Sequence, residues 1–176
     1  MKGLRSLLLA ALLAGGCEEK LKPAVVDLPG SELPSQESWN STVVFSDSAR
    51  RKAVLSAGHI AVYRTRMETV LEESVAVDFY DESERRTSRL TARRGRVDDR
   101  TRDFEASGRV VVVSDSGTVL RTERLFWDNA ARRIHTDAFV EITTPSEIIQ
   151  GHGMESDQAL RHYRIFRVTG QTVVRE

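Results

Sequence analysis

Cysteine is nearly absent from this chain: Cys17 stands alone among 176 residues. A disulfide framework within the chain is therefore excluded, and with it the small cross-linked secreted folds. Aromatic residues make up only 6% and proline occurs four times. Charge of one sign is missing too, since 26 basic residues balance 26 acidic ones. Without residues 1–16, which hold Lys2 and Arg5 and no acid, the balance is 24 to 26. That leaves no overall attraction to nucleic acid or to an anionic surface. The apolar run from Leu7 to Leu13 falls well short of the roughly 20 residues that a helix needs to span a bilayer.

The groupings that catalysis requires are also missing. The four histidines, His59, His135, His152 and His162, lie in separate segments. His152 and Glu155 form an H-x-x-E with no second ligand pair at a metal spacing. Gly151-His152-Gly153 lacks the third glycine and the strand-to-helix setting of a dinucleotide loop, and reads as a bulge or close strand approach. No G-x-S-x-G elbow occurs. The expectation is a protein that is not an enzyme and uses no cofactor or metal.

What is present begins with a secretion signal. Lys2 and Arg5 precede the apolar run, and the small residues Ala14-Gly15-Gly16 precede Cys17. This segment resembles a bacterial lipobox, with one departure: Leu13 lies four residues before the cysteine, and Ala14 takes the usual leucine position. The reading is a signal peptide over residues 1–16, cut before a lipidated Cys17, whose acyl chains anchor the protein. Glu18 leaves the choice of membrane open. Residues 17–39 carry Pro23, Pro29, Gly30 and Pro34 without an apolar period, and read as a flexible tether. The folded domain is expected over residues 40–176.

In that domain the period is two. Val75-Ala76-Val77-Asp78-Phe79 and Phe139-Val140-Glu141-Ile142-Thr143 alternate, Arg109 to Val113 is a β-branched run, and Ile165-Phe166-Arg167-Val168 is a shorter candidate. Turns are expected at Ser114-Asp115-Ser116-Gly117, Thr144-Pro145-Ser146 and Gly170. Residues 51–73 fit a strand or a helix, and strands are favoured because every later segment is one.

A repeat underlies the pattern. Leu90, Asp98, Phe104, Val110 and Val112 are followed thirty positions later by Leu120, Asp128, Ile134, Val140 and Ile142. Ile149, Asp157 and Tyr163 follow at twenty-nine. Each copy sets an acidic turn between two strands: Asp98-Asp99-Arg100, Asp128-Asn129-Ala130, Asp157-Gln158-Ala159. An Asp carboxylate accepts from the backbone two residues on and so nucleates a turn. Stacked strand–turn–strand units imply a rolled or layered antiparallel sheet.

Such a sheet must cover its apolar face with a second layer, by closure, or with a ligand. Val75, Val77, Phe79, Leu90, Val110, Val112, Leu125, Trp127, Ile134, Val140, Ile142 and Ile165 are the inward candidates, as a lipid groove or as a dry core. Arg85, Arg86, Arg89, Arg93, Arg94, Arg96, Arg100 and Arg102 form a basic stretch. These arginines either solvate the outer face or meet phosphates at the rim. Nucleic acid is disfavoured by the neighbouring acids Asp98, Asp99, Asp103 and Glu105.

The ordered set Leu125-Phe126-Trp127-Asp128, Ile134-His135-Thr136-Asp137 and Val140-Glu141-Ile142-Thr143-Thr144-Pro145 resembles the C-terminal half of the LptC family. Gly151-His152-Gly153-Met154-Glu155-Ser156-Asp157, Tyr163 and Val168-Thr169-Gly170 extend it. The resemblance runs over about residues 40–174 and is sharpest from Leu120 to Gly170. It implies a twisted, half-open β-jellyroll of the kind shared with LptA-like proteins. The implied function is lipopolysaccharide transport from the inner toward the outer membrane, with lipid A acyl chains in the groove. The implied partners are the inner-membrane Lpt ABC transporter and an LptA-type bridge. The family is typically held by a transmembrane helix. This chain departs in offering a lipidated N-terminus, placed in the periplasm on the inner membrane in preference to the outer. Two other functions remain open. One is an envelope scaffold that pairs strand edges around a dry core. The other is an envelope polysaccharide enzyme using carboxylates such as Glu141 and Asp137, which would have to lie about 5–10 Å apart in a cleft.

Overall fold

The structure, a computed structural model, describes residues 33–173. The signal segment, Cys17 and the tether up to residue 32 lie outside the described residues. Nine strands follow in order: β1 (Gln36–Asp47), β2 (Arg50–Tyr63), β3 (Glu68–Tyr80), β4 (Arg86–Asp98), β5 (Phe104–Ser114), β6 (Val119–Asp128), β7 (Arg133–Thr143), β8 (Glu147–Ser156) and β9 (Tyr163–Val173). They form one antiparallel sheet in which spatial order equals chain order. The described residues contain no helix. β1 and β9 pair on one side only, so the sheet is open, consistent with a half-open jellyroll. β1 takes in residues 36–39, which the sequence reading assigned to the tether.

Residues 51–73 are β2 and the start of β3, as favoured. The thirty-residue repeat is the hairpin. Leu90 pairs with Val112 across β4–β5, and Leu120 with Ile142 across β6–β7. The acidic turns form as the side-chain chemistry requires. Asp98 Oδ1 accepts from the backbone N–H of Arg100 at 2.8 Å and of Thr101 at 3.1 Å. Asp128 accepts from Ala131 at 2.7 Å, and Asp157 from Ala159 at 2.9 Å. Gly170 corrects the sequence reading: it lies within β9 opposite Gln150, beside a register shift, instead of making a turn. Glycine suits an irregular ladder as readily as a loop.

Register breaks lie near mid-strand in successive pairs: Ser56/His59, Glu72/Val75, Thr91/Arg94, Ser107/Val110, Thr122/Phe126 and Thr136/Phe139. Glu73 and Ser74, and Gly108 and Arg109, have positive φ at these breaks. Bulges bend strands, and a row of them creases the sheet so that its two halves turn their apolar faces toward each other. One half presents the cross-strand row Leu55, Val77, Leu90, Val112, Leu120 and Ile142. The other presents Ile60, Leu71, Gly95, Ala106 and Leu125. Both rows belong to one apolar core, apart from Gly95, which makes room for its neighbours. A Cβ at Gly95 would stand 2.7 Å from the Phe104 ring and 3.0 Å from Leu71. Contacts across the core join elements that share no ladder: Phe79 of β3 lies against Trp127 of β6, and Ser88 Oγ of β4 donates to the carbonyl of Gln158, between β8 and β9, at 2.7 Å.

Candidate functional site

All twelve inward candidates point into this core. Ten are buried, and Trp127 and Ile165 are partly buried against it. Most are packed on one another. Val77, Phe79 and Trp127 differ, because they line an apolar cavity of about 360 Å³ at the place where the free ends of the two halves meet. That volume lies within the range of small-ligand sites. Phe45, Ala53, Leu55, Val97 and Phe104 complete its apolar wall. The inward candidates did not include these five. Phe104 was signalled by its place thirty residues before Ile134 in the repeat. Phe45 and Leu55 fall in or before the stretch where strand and helix periods were both admissible.

The rim is charged. Lys52, Arg102 and Arg132 face it as cations and Asp47 and Glu82 as anions, with Asn129 and Gln158 between. On one lip Lys52 Nζ donates to Glu82 Oε1 at 2.6 Å, and Arg50 reaches the same carboxylate at 3.1 Å. The hydrogen bond and charge of Lys52, reinforced by Arg50, hold Glu82 below the usual carboxylate range. Glu84 Oε1 accepts from the Arg51 backbone N–H at 2.9 Å, which ties the β3–β4 loop to the β1–β2 hairpin. On the other lip Arg102 and Arg132 project from the β4–β5 and β6–β7 turns.

The eight-arginine stretch is exposed. Arg85 pairs with Asp81, Arg86 and Arg89 with Asp78, and Arg96 with Glu68 and Glu105. Arg85 and Asp81 close the β3–β4 loop, the other three arginines belong to a cross-strand ionic lattice, and only Arg102 of the eight lines the cavity. The histidines have structural neighbours. His59 stacks on Trp39 and lies 2.9 Å from Glu37, His135 stacks on Phe126, His152 meets Phe139 edge-on, and His162 contacts Asp157. Among the described residues no three His, Cys, Asp or Glu side chains cluster to hold a metal ion. Gly151 is a close approach, as expected: a Cβ there would stand 2.4 Å from Arg167 O. Glu141 faces Arg121 and accepts from Gln150 Nε2 at 2.8 Å, and neither it nor Asp137 lines the cavity.

Both outer strands expose apolar side chains. Trp39 and Val44 of β1 are 63% and 57% accessible, and Val168 and Val173 of β9 are 56% and 65%. Unpaired backbone with apolar side chains is the chemistry of strand addition.

Residues 31–172 match the family model described as lipopolysaccharide-assembly, LptC-related. No curated protein matches the chain significantly.

Proposed function

The chain belongs to the LptC family of lipopolysaccharide-assembly proteins, and from that membership we propose that it carries lipopolysaccharide by admitting lipid A acyl chains to the cavity between its two half-sheets. The family's role is in lipopolysaccharide transport, as a periplasmic, membrane-associated component. The observation that carries the finer reading is the apolar cavity walled by Phe45, Leu55, Val77, Phe79, Phe104 and Trp127 and opening at a charged rim. An apolar wall removes acyl chain from water at about 25 cal/mol per Å², and the rim keeps a polar headgroup solvated. The protein's part is binding and relay. Energy comes from the ATPase of the inner-membrane transporter, and the unpaired β9 edge passes lipid to an LptA-type bridge by strand addition. Acyl chains on Cys17 hold the domain to the membrane, the inner in preference to the outer.

A second reading is favoured by the exposed apolar residues on β1 and β9: a scaffold that assembles through its edges without carrying lipid. Photo-crosslinking separates the two. Probes at Phe45 on the cavity wall and Val112 deeper in the core are placed in membranes containing the transporter. ATP-dependent lipopolysaccharide adducts at Phe45, extending to Val112 if the halves part, are the expected result. Adducts to neighbouring proteins alone, from a folded chain, would leave the scaffold.

A further inference from the structure

We propose that Arg102 and Arg132 form a subsite for the phosphate of an amphiphile whose apolar tail enters the cavity; this rests on the lipid reading of that cavity. The two arginines occupy equivalent places in the thirty-residue repeat, as Asp98 and Asp128 do. Each sits at positive φ, 64° and 53°, in a tight turn, a conformation that glycine or asparagine adopts more easily than arginine. The turns are tied side by side: Asn129 N–H donates to Asp103 Oδ1 at 2.9 Å, and Asn129 Nδ2 to Thr101 O at 3.2 Å. The same lip is walled by Val97, Phe104 and Trp127.

The hydrogen bonding around the two arginines leaves both guanidiniums open to an anion. The acids of these turns already accept hydrogen bonds: Asp98 from Arg100 and Thr101, Asp99 from Thr69 Oγ1, Asp103 from Asn129, Asp128 from Ala131. Neither Arg102 nor Arg132 makes an ion pair among the described residues, whereas Lys52 on the facing lip is held by Glu82. Two guanidiniums on adjoining turns repel each other and gain from a shared anion, and the planar fork of each matches phosphate oxygens bidentately. Apolar wall and cationic lip together select an amphiphile with a phosphate monoester over a neutral one.

The test uses the full-length chain in detergent, carrying Trp39→Phe so that Trp127 is its one tryptophan, and follows its fluorescence with two tail-matched probes, lysophosphatidic acid and monoacylglycerol. The expected result is tighter binding of the phosphate lipid by about tenfold, the scale of one charge-assisted hydrogen bond. R102Q/R132Q should erase that preference while monoacylglycerol binding persists, and R102K/R132K should restore part of it. A preference unchanged in R102Q/R132Q of native melting behaviour would overturn the proposal. Displacement of lysophosphatidic acid by equimolar inorganic phosphate would overturn it in favour of a free-anion site. Failure of both lipids to bind the unaltered chain would remove the cavity reading, and this one with it. Preference lost with tail binding retained would confine any failure to the headgroup and support the subsite.

Discussion

Phe79 and Trp127 meet with ring centroids 5.9 Å apart although their strands, β3 and β6, share no hydrogen bond. The contact joins the free end of one half-sheet to that of the other, and both rings line the cavity. The mouth of the cavity opens beside it.

Replacing Phe79 with Ala should widen that mouth and lower stability. Phe79 is 8% accessible, and truncating a buried phenylalanine costs about 3–5 kcal/mol. Urea denaturation measures the loss. A change under about 1 kcal/mol would show that the two halves are not held by this contact.

Ile142 is fully buried in the packed part of the core. Ile142→Ala is expected to cost about 2–5 kcal/mol without enlarging the mouth, so monoacylglycerol affinity in the surviving folded fraction should hold. A selective loss of tail binding would instead make Ile142 part of the lipid path.

Gly151→Ala should loosen the β9 edge. The new Cβ would meet the Arg167 carbonyl oxygen at 2.4 Å, which the backbone can relieve only by separating the strands. Hydrogen exchange in β9 should accelerate while β4 and β5 keep their protection. Unaltered exchange throughout would mean that the ladder accommodates a methyl group.

Asp98 makes stability depend on pH. The backbone N–H of Thr101, then that of Arg100, holds its carboxyl below the ordinary aspartate value. A depressed folded-state pKa stabilises fully above the unfolded value, about 3.9, and that contribution disappears as pH falls through the folded value. Melting temperature should therefore drop as pH falls below about 4, and by less in Asp98→Asn. Equal drops in the two proteins would assign the acid sensitivity elsewhere.

Cys17→Ser should block lipid modification and leave the signal segment attached. Incorporation of labelled palmitate is the readout, and continued labelling would refute the lipobox reading.

Much of the fold was legible because a half-buried strand writes its period into the chain. Val75, Val77 and Phe79 alternate with Ala76 and Asp78, and the spacing from Leu90 to Leu120 marks one hairpin upon the next. Asp98, Asp128 and Asp157 announced their turns because an Asp side chain acts on backbone two to four residues away. Gly170 misled for the same local reason: glycine serves a bulge and a turn alike, and only the partner strand distinguishes them.

The sequence by itself determined an all-β chain, the hairpin repeat, the inward set of side chains and the family. Each depends on neighbours a few residues apart or on an ordered pattern along the chain. Only the tertiary structure decided which inward residues pack and which border a cavity. Leu120 and Phe45 are both apolar strand residues, yet Leu120 is sealed in mid-sheet and Phe45 stands at an open end. That difference comes from where the crease brings the two halves together, and from which rim charges already have partners. Both follow from contacts between strands distant in the chain, which no local period records.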